Sequence, residues 1–305
     1  MNKSLPIFPQ FEKLSLNHKE VLQAIANNYP SSDFNFAGLF TWDVGENVMI
    51  CSLNGNLIIR SADYVTHDIF YSFIGESKVD ETIETLIDYA EKNIQNATLR
   101  LIPESVAKNI SQAKHQVTED RDNHDYIYLV SDLAQLKGGK YEKKRNILHG
   151  FARKYPHNLK EEELDLNDEK VREDIEQVIK RWQVSRQKTD DDVKDELIAV
   201  GKALEHHKTL NIRAFGIYHR KVLIAFNLFE ILPGKIAIGH FHKADVGYAG
   251  VYEHLTHNLA KHLATLEVET MNYEQDLGEE GLRRSKESFH PARYIKKYTV
   301  TRKQS

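Results

Sequence analysis

The chain has 305 residues, enough for two domains with cores of their own. It is 41% hydrophobic and 28% charged with a net charge of −4, which argues against wholesale electrostatic binding to nucleic acid but leaves room for a local basic pocket. No apolar run approaches the length of a bilayer span, Met1 to Gln10 lacks a signal-peptide pattern, and Cys51 stands alone, so a reducing cytoplasm without disulfides is the expected setting.

In chain order, Phe11 to Tyr29 reads as mostly helical and is followed by an aromatic stretch, Phe34 to Trp42. Val48 to Leu53 and Leu57 to Arg60 flank Asn54-Gly55-Asn56, a strong hairpin signal, and Ile69 to Ile74 is a third strand. A helix then carries Val79, Ile83, Leu86, Ile87, Ala90 and Ile94 on one face. The strand Thr98 to Ile102, a helix around Glu104 to Ala113 and the strand Tyr126 to Val130 complete the first half.

The second half repeats much of that order. Val171, Ile175, Val178, Ile179 and Trp182 recur at helical spacing, and a second helix runs from about Val193 to Leu204. Three strands follow, Ile212 to Tyr218, Val222 to Phe229 and Ile236 to His242, joined by His219-Arg220-Lys221 and Pro233-Gly234. Next come a helix with Val251, Leu255, Leu259 and Leu263 on one face, a strand at Val268, a helix at Glu279 and an extended segment, Tyr294 to Val300. Two copies of one element order suggest a duplication, with domains at 1–135 and 136–305.

The joining segment, Gln135 to Tyr155, sets Lys137, Lys140, Lys143, Lys144, Arg145, Arg153 and Lys154 against one acid, Glu142. As a helix its apolar stripe is Tyr141, Leu148, Phe151 and Tyr155, with Lys144 in the middle of the stripe and Arg145 at its edge. Lys143, Arg153 and Lys154 read as solvated surface charge. Lys144 and Arg145 either snorkel past the stripe or meet a carboxylate or phosphate in a cleft.

The most informative stretch is Asn272 to Lys286, where acidic residues lie between a strand and a short helix. Helical spacing puts Leu282, Ser285, Lys286 and Phe289 on one inward face. Lys286 therefore needs an anion, either Glu274 or Asp276 as an internal ion pair, or a ligand. A phosphate-binding turn needs exposed amides at a helix N-terminus. Gly247 and Gly250 stand at such a place, but without the leading Arg or Gln of acetyl-transferring (GNAT) proteins, and they read equally as a strand-to-helix turn. His240 and His242 share a strand face, and His254 and His257 lie three apart, yet no complete ligand set exists, so neither metal nor cofactor is expected. No GxSxG elbow or Walker loop is present.

Asp125-Tyr126-Ile127-Tyr128, Ser131-Asp132-Leu133, Gly138 to Asn146 and Tyr273 to Pro291 closely resemble the phosphatidylglycerol lysyltransferase C-terminal domain family, and Asp33 to Trp42 fits its N-terminal part. The resemblance spans nearly the whole chain and implies an α/β (α+β) fold of two tandem GNAT-like domains with mixed, mainly antiparallel sheets flanked by helices. In the membrane-bound synthases this domain moves an aminoacyl group from a charged tRNA to a lipid head group. A many-helix membrane portion precedes it there, so a soluble stand-alone member is expected here. Relatives carry Glu-Lys-Ala where this chain has His242-Lys243-Ala244, which leaves Lys243 as a candidate anion contact.

The resulting expectation is an acyl- or aminoacyl-transferase taking an aminoacyl-tRNA or acyl-CoA-like donor and a small-molecule, peptide or lipid head-group acceptor. Glu274 and Asp276 are the candidate acid–base residues. Lys144, Arg145, Lys243 and Lys286 are the candidate substrate contacts, with Lys144 and Lys286 expected in one interdomain cleft. The alternative is a non-catalytic GNAT-like scaffold that binds a nucleotide, tRNA end or peptide.

Overall fold

The computed structural model describes residues 5–45, 47–63, 66–94 and 97–303; positions 1–4 of the segment read for a leader lie outside the described residues. The chain opens with β1 (Glu12–Lys13), α1 (Lys19–Ala26) and α2 (Phe36–Trp42), followed by β2 (Met49–Leu53), β3 (Asn56–Ala62) and β4 (Ile69–Ile74). Asn54 and Gly55 have φ of 56° and 83°, as the two-residue hairpin turn between β2 and β3 requires. The helix α3 (Val79–Ile94) buries Val79, Ile83, Leu86, Ile87 and Ala90, the face its spacing predicts. Then come β5 (Leu99–Pro103), α4 (Glu104–Ala107) and β6 (His115–Glu119).

Next are β7 (Asp125–Leu129), α5 (Val130–Gln135), the basic helix α6 (Glu142–Lys154) and β8 (Leu159–Leu164). The helices α7 (Glu169–Ser185), α8 (Asp190–Glu205) and α9 (His207–Leu210) lead to β9 (Arg213–His219), β10 (Val222–Leu232) and β11 (Ile236–Ala244). The chain closes with α10 (Val251–Thr265), β12 (Thr270–Asn272), α11 (Glu280–Glu287), β13 (Arg293–Ile295) and β14 (Lys297–Arg302). Both hairpins predicted among the second-half strands are present, with Arg220 and Lys221 at positive φ in one turn and Gly234 and Lys235 in the other.

Two units emerge, one of Met1–Asp125, Gln275–Glu280 and Tyr294–Ser305, the other of Tyr126–Glu274 and Gly281–Arg293. The first sheet runs β1-β2-β3-β4-β5-β14-β6, antiparallel except where β4 meets β5 in parallel. The second runs β13-β7-β12-β11-β10-β9-β8, with β7–β12, β11–β10, β10–β9 and β9–β8 antiparallel and β11–β12 parallel. The fold is therefore α/β, with two mixed, mainly antiparallel sheets flanked by helices.

Several elements differ from the expectation. Phe11 to Tyr29 is not one helix, because β1 pairs with the edge of β2 and α1 starts only at Lys19. Phe34 to Trp42 holds a helix capped by Asn35, whose side chain accepts from the Gly38 amide at 2.9 Å. The helix read over Glu104 to Ala113 is a single turn, α4, and β6, α5 and β8 had no distinct signal. The largest difference is an exchange of strands. β7, last in the first copy, pairs with β12 in the second sheet, and β14, last in the second copy, lies between β5 and β6 in the first. Burial supplies the reason. Val300 of β14 is fully buried against the core of Ile83, Leu86, Leu99 and Ile102, whereas Tyr126 and Tyr128 of β7 are buried in the second unit.

Lys297, at the start of β14, is fully buried between Asp33 and Asp125. Its ammonium lies 2.5 Å from Asp125 Oδ1, and Asp125 also accepts from the Ser32 amide at 2.7 Å and the Ser32 hydroxyl at 2.8 Å. The aspartate that opens the Asp125-to-Tyr128 signature is thus part of a buried ionic lock.

Candidate active site

The second unit contains a wedge. The paired register of β11 with β12 ends at Ile238↔Asn272, while β11 continues beside β10 as far as Ala244. Beyond Asn272 the chain turns away, and the Tyr273 amide donates to Tyr126 of β7 at 3.0 Å. The turn is built locally: Asn272 Oδ1 accepts from the Glu274 amide at 2.7 Å, and Glu274 takes φ of 56°. On β11, pairing jumps from Leu228↔Phe241 to Phe229↔Gly239, so His240 is the extra residue of a β-bulge. Bulges re-aim side chains.

His240 is aimed between two carboxylates. Its Nε2 lies 3.0 Å from Glu230 Oε1 on β10, and its Nδ1 lies 3.1 Å from Glu274 Oε1. The imidazole and Glu230 are almost completely buried, whereas Glu274 keeps 22% of its side-chain surface. Burial alone would lower the pKa of His240, but the bonds to Glu230 and Glu274 outweigh it and raise the pKa to about 10. At neutral pH the ring is an imidazolium that donates through both nitrogens.

His242, two residues along β11, has the opposite character. It stacks on Tyr252, meets Tyr273 edge-on and lies 2.9 Å from Asn227 Nδ2. Burial, helped by the positive charges of Lys243 and Lys286, lowers its pKa to about 3, so it is neutral. Burial likewise raises the Tyr273 phenol. One strand thus carries a fixed cation and a neutral ring two residues apart.

Of the residues singled out by sequence, Lys286 and Glu274 come together. The Lys286 ammonium donates to the Tyr273 carbonyl at 2.5 Å and the Glu274 carbonyl at 3.3 Å, so it holds the backbone of the turn rather than the Glu274 carboxylate. The face drawn for its helix holds only in part: Phe289 is buried, but Leu282 is 40% exposed, since α11 is short and lies at the surface. Lys243 points away from the histidines, packing its ammonium 3.7 Å above the Trp182 ring and 2.6 Å from Glu196. Asp276 belongs to the first unit, where it is fully buried, pairs with Arg121 at 3.3 Å and accepts from the Gly278 amide.

Lys144 is 3.2 Å from Glu253 and 3.7 Å above the Phe289 ring. Tyr141 donates to the Phe289 carbonyl at 3.2 Å, and His290 Nε2 lies 2.9 Å from the Lys140 carbonyl. The two longest motifs, Gly138 to Asn146 and Tyr273 to Pro291, therefore pack directly on each other around Phe289. Arg145 donates to the carbonyls of Leu136 and Gly138, closing the end of α5. Changing Lys144 to Met is expected to cost about 1–3 kcal/mol of stability in a denaturant melt, less than for a fully buried pair because Glu253 stays partly solvated. Donor affinity should be unaffected, and a selective loss of affinity would return Lys144 to the substrate contacts.

The glycine turn before α10 carries an acid. Asp245 Oδ1 accepts from the Gly247 amide at 3.0 Å, the Asp245 carbonyl accepts from Tyr248, and Oδ2 faces Arg181 at 3.5 Å. Gly250, at φ of 89°, lies so close to Ile147 that an added Cβ would come within 2.9 Å of its side chain. Close packing and a turn conformation account for these glycines, and the carboxylate opposes a phosphate there. Among the described residues no group of three or more His, Cys, Asp or Glu side chains could hold a metal ion.

Sequence reasoning noted His240 but not Glu230. The signal was available: Glu230 is a carboxylate inside the buried run of β10, and such a residue is almost never fully buried unless paired.

The profile of the family described as "Phosphatidylglycerol lysyltransferase, C-terminal" matches residues 26–301. The chain belongs to this family. Among solved structures, a conserved protein of unknown function from Bacteroides thetaiotaomicron is similar at 23% identity and a TM-score of 0.82, covering 96% of this chain and 99% of its own. The C-terminal domain of a putative lysylphosphatidylglycerol synthetase from Agrobacterium fabrum is similar at 15% identity and a TM-score of 0.65, covering 94% and 92%. L-PGS from Bacillus licheniformis follows at 14% identity and 0.62, covering 99% and 95%. At these identities the likeness shows the fold. A comparison with curated proteins finds no match. The phosphatidylglycerol lysyltransferase C-terminal fold of this chain is acyltransferase-like in the general sense, and among the described residues no helix is long and apolar enough to cross a membrane.

Proposed function

We propose that this chain transfers an acyl group, and specifically an aminoacyl group carried as an ester on a tRNA end, to an amine or hydroxyl acceptor. The observation that carries the reading is Glu274, a carboxylate at the open end of the wedge with Oε1 fixed by a buried imidazolium. Family membership and the GNAT-like sheet support it.

The acceptor's amine or hydroxyl attacks the ester carbonyl carbon, forming the new C–N or C–O bond, while the ester oxygen leaves with the electrons of the broken bond. Glu274 Oε2 takes the acceptor's proton and passes it to the departing ester oxygen, which leaves as a hydroxyl. Lys286 steadies the Tyr273–Glu274 turn and adds positive charge beside His242, where a developing oxyanion would gain from it.

The reading is tested by incubating the purified chain with aminoacyl-tRNAs charged with labelled amino acids and a panel of amine, hydroxyl and lipid head-group acceptors. Label moving to an acceptor supports it, whereas tight tRNA binding without transfer under every pairing would favour the scaffold role. Because Asp245 occupies the glycine turn, coenzyme A is expected not to compete with the aminoacyl donor. Competitive inhibition by coenzyme A would point to a thioester donor instead.

A further inference from the structure

We propose that Glu230, buried beneath the wedge, is a positioning residue that acts on Glu274 through the His240 ring, holding one carboxylate oxygen of Glu274 so that the other is presented to the acceptor. This rests on the transferase reading above. Three observations carry it. Glu230, His240 and Glu274 form a continuous chain of bonds at 3.0 and 3.1 Å, each using one imidazole nitrogen. The chain runs from almost complete burial to partial exposure, with Glu230 at 3% and the Glu274 side chain at 22%, so only Glu274 reaches the open end. His240 is the unpaired residue of a bulge, so the backbone departs from regular pairing at the position that links the two acids.

The chemistry follows from which groups face the ring. Glu230 comes from β10 and Glu274 from the turn after β12, and both raise the basicity of the ring. Held between the two carboxylates, the ring stays charged through neutral pH. It cannot flip without breaking two bonds, and Glu274 is kept oriented. A neutral ring would offer a single N–H and could give it to either acid.

The test uses His240 itself as reporter. In the full chain labelled with 13C-histidine, and with its ring resonance assigned by loss in H240Q, the wild-type ring is expected to remain protonated through pH 8. In E230Q its titration is expected to fall towards the ordinary histidine value of about 6.5. The kcat of E230Q should drop on the order of 10²-fold with KM little changed, as for a mispositioned group. Its pH profile should gain an ionisation between pH 6 and 8 that the wild type lacks. Ordinary titration of His240 in the wild type would overturn the inference, and that measurement does not depend on the variant folding. An E230Q pH profile that superimposes on the wild type would overturn it too, leaving Glu230 a structural acid. Failure of the wild type to transfer label under every donor and acceptor pairing would remove the transferase reading while leaving the coupling seen in the His240 titration intact, so the two failures are distinguishable.

Discussion

Replacing Glu274 by Gln is expected to lower kcat by about 10²–10⁴-fold while leaving donor affinity largely intact, the range for loss of a positioned general base. The amide keeps the shape and the oxygen that accepts from His240, so the turn set by Asn272 and Lys286 should survive. What disappears is the capacity of Oε2 to take a proton from the acceptor. Single-turnover transfer from a labelled aminoacyl-tRNA, compared with tRNA binding by the same protein, separates the two effects. A variant that binds and turns over normally would remove Glu274 from the chemistry. One that binds poorly would show that Glu274 contacts the donor rather than the acceptor's proton.

The largest expected stability effect lies in the other unit. Lys297→Met should destabilise the first unit by about 3–5 kcal/mol, because it leaves Asp33 and Asp125 buried without their cation. Burial alone would lower the pKa of Lys297, but Asp125 and Asp33 outweigh it and raise it. A lysine whose folded pKa exceeds its unfolded value of about 10.4 contributes its full stability below that value and loses it only as pH rises through the folded one. The wild-type contribution should therefore be constant through neutral pH and fade in alkali, and the variant should lack that alkaline loss. Asp33 behaves oppositely to an ordinary ion-paired acid. Burial pushes its pKa up, Lys297 pulls it down, Asp125 pushes it up again, and the net direction is upward. Asp33→Asn should accordingly cost less than Lys297→Met. Urea melts of both variants across pH check this, and equal costs would mean that Asp33 carries a full charge in the fold.

Sequence by itself determined much of this protein. Period-2 and period-3.6 patterns located most of the strands and the long helices, because burial of one face leaves a repeat that survives in the chain. The Asn54-Gly55 and Pro233-Gly234 turns were legible because positive φ restricts which residues serve. The two longest motifs marked segments that pack together, and Glu274 stood out as a carboxylate beside an inward lysine. Tertiary structure decided the rest. Which sheet β7 and β14 join is invisible in their alternation, since a strand's pattern fixes its buried face and not its neighbour. The partners of Lys144, Lys243 and Lys286 were equally open, because the sequence shows that a cation lies on an apolar side but not whether a carboxylate, a carbonyl or a ring will meet it there. The pairing of Glu230 with His240 and Glu274 joins residues from two strands and a turn through a one-residue bulge. Its charge state depends on burial and on distances of about 3 Å, which exist only once the chain has folded.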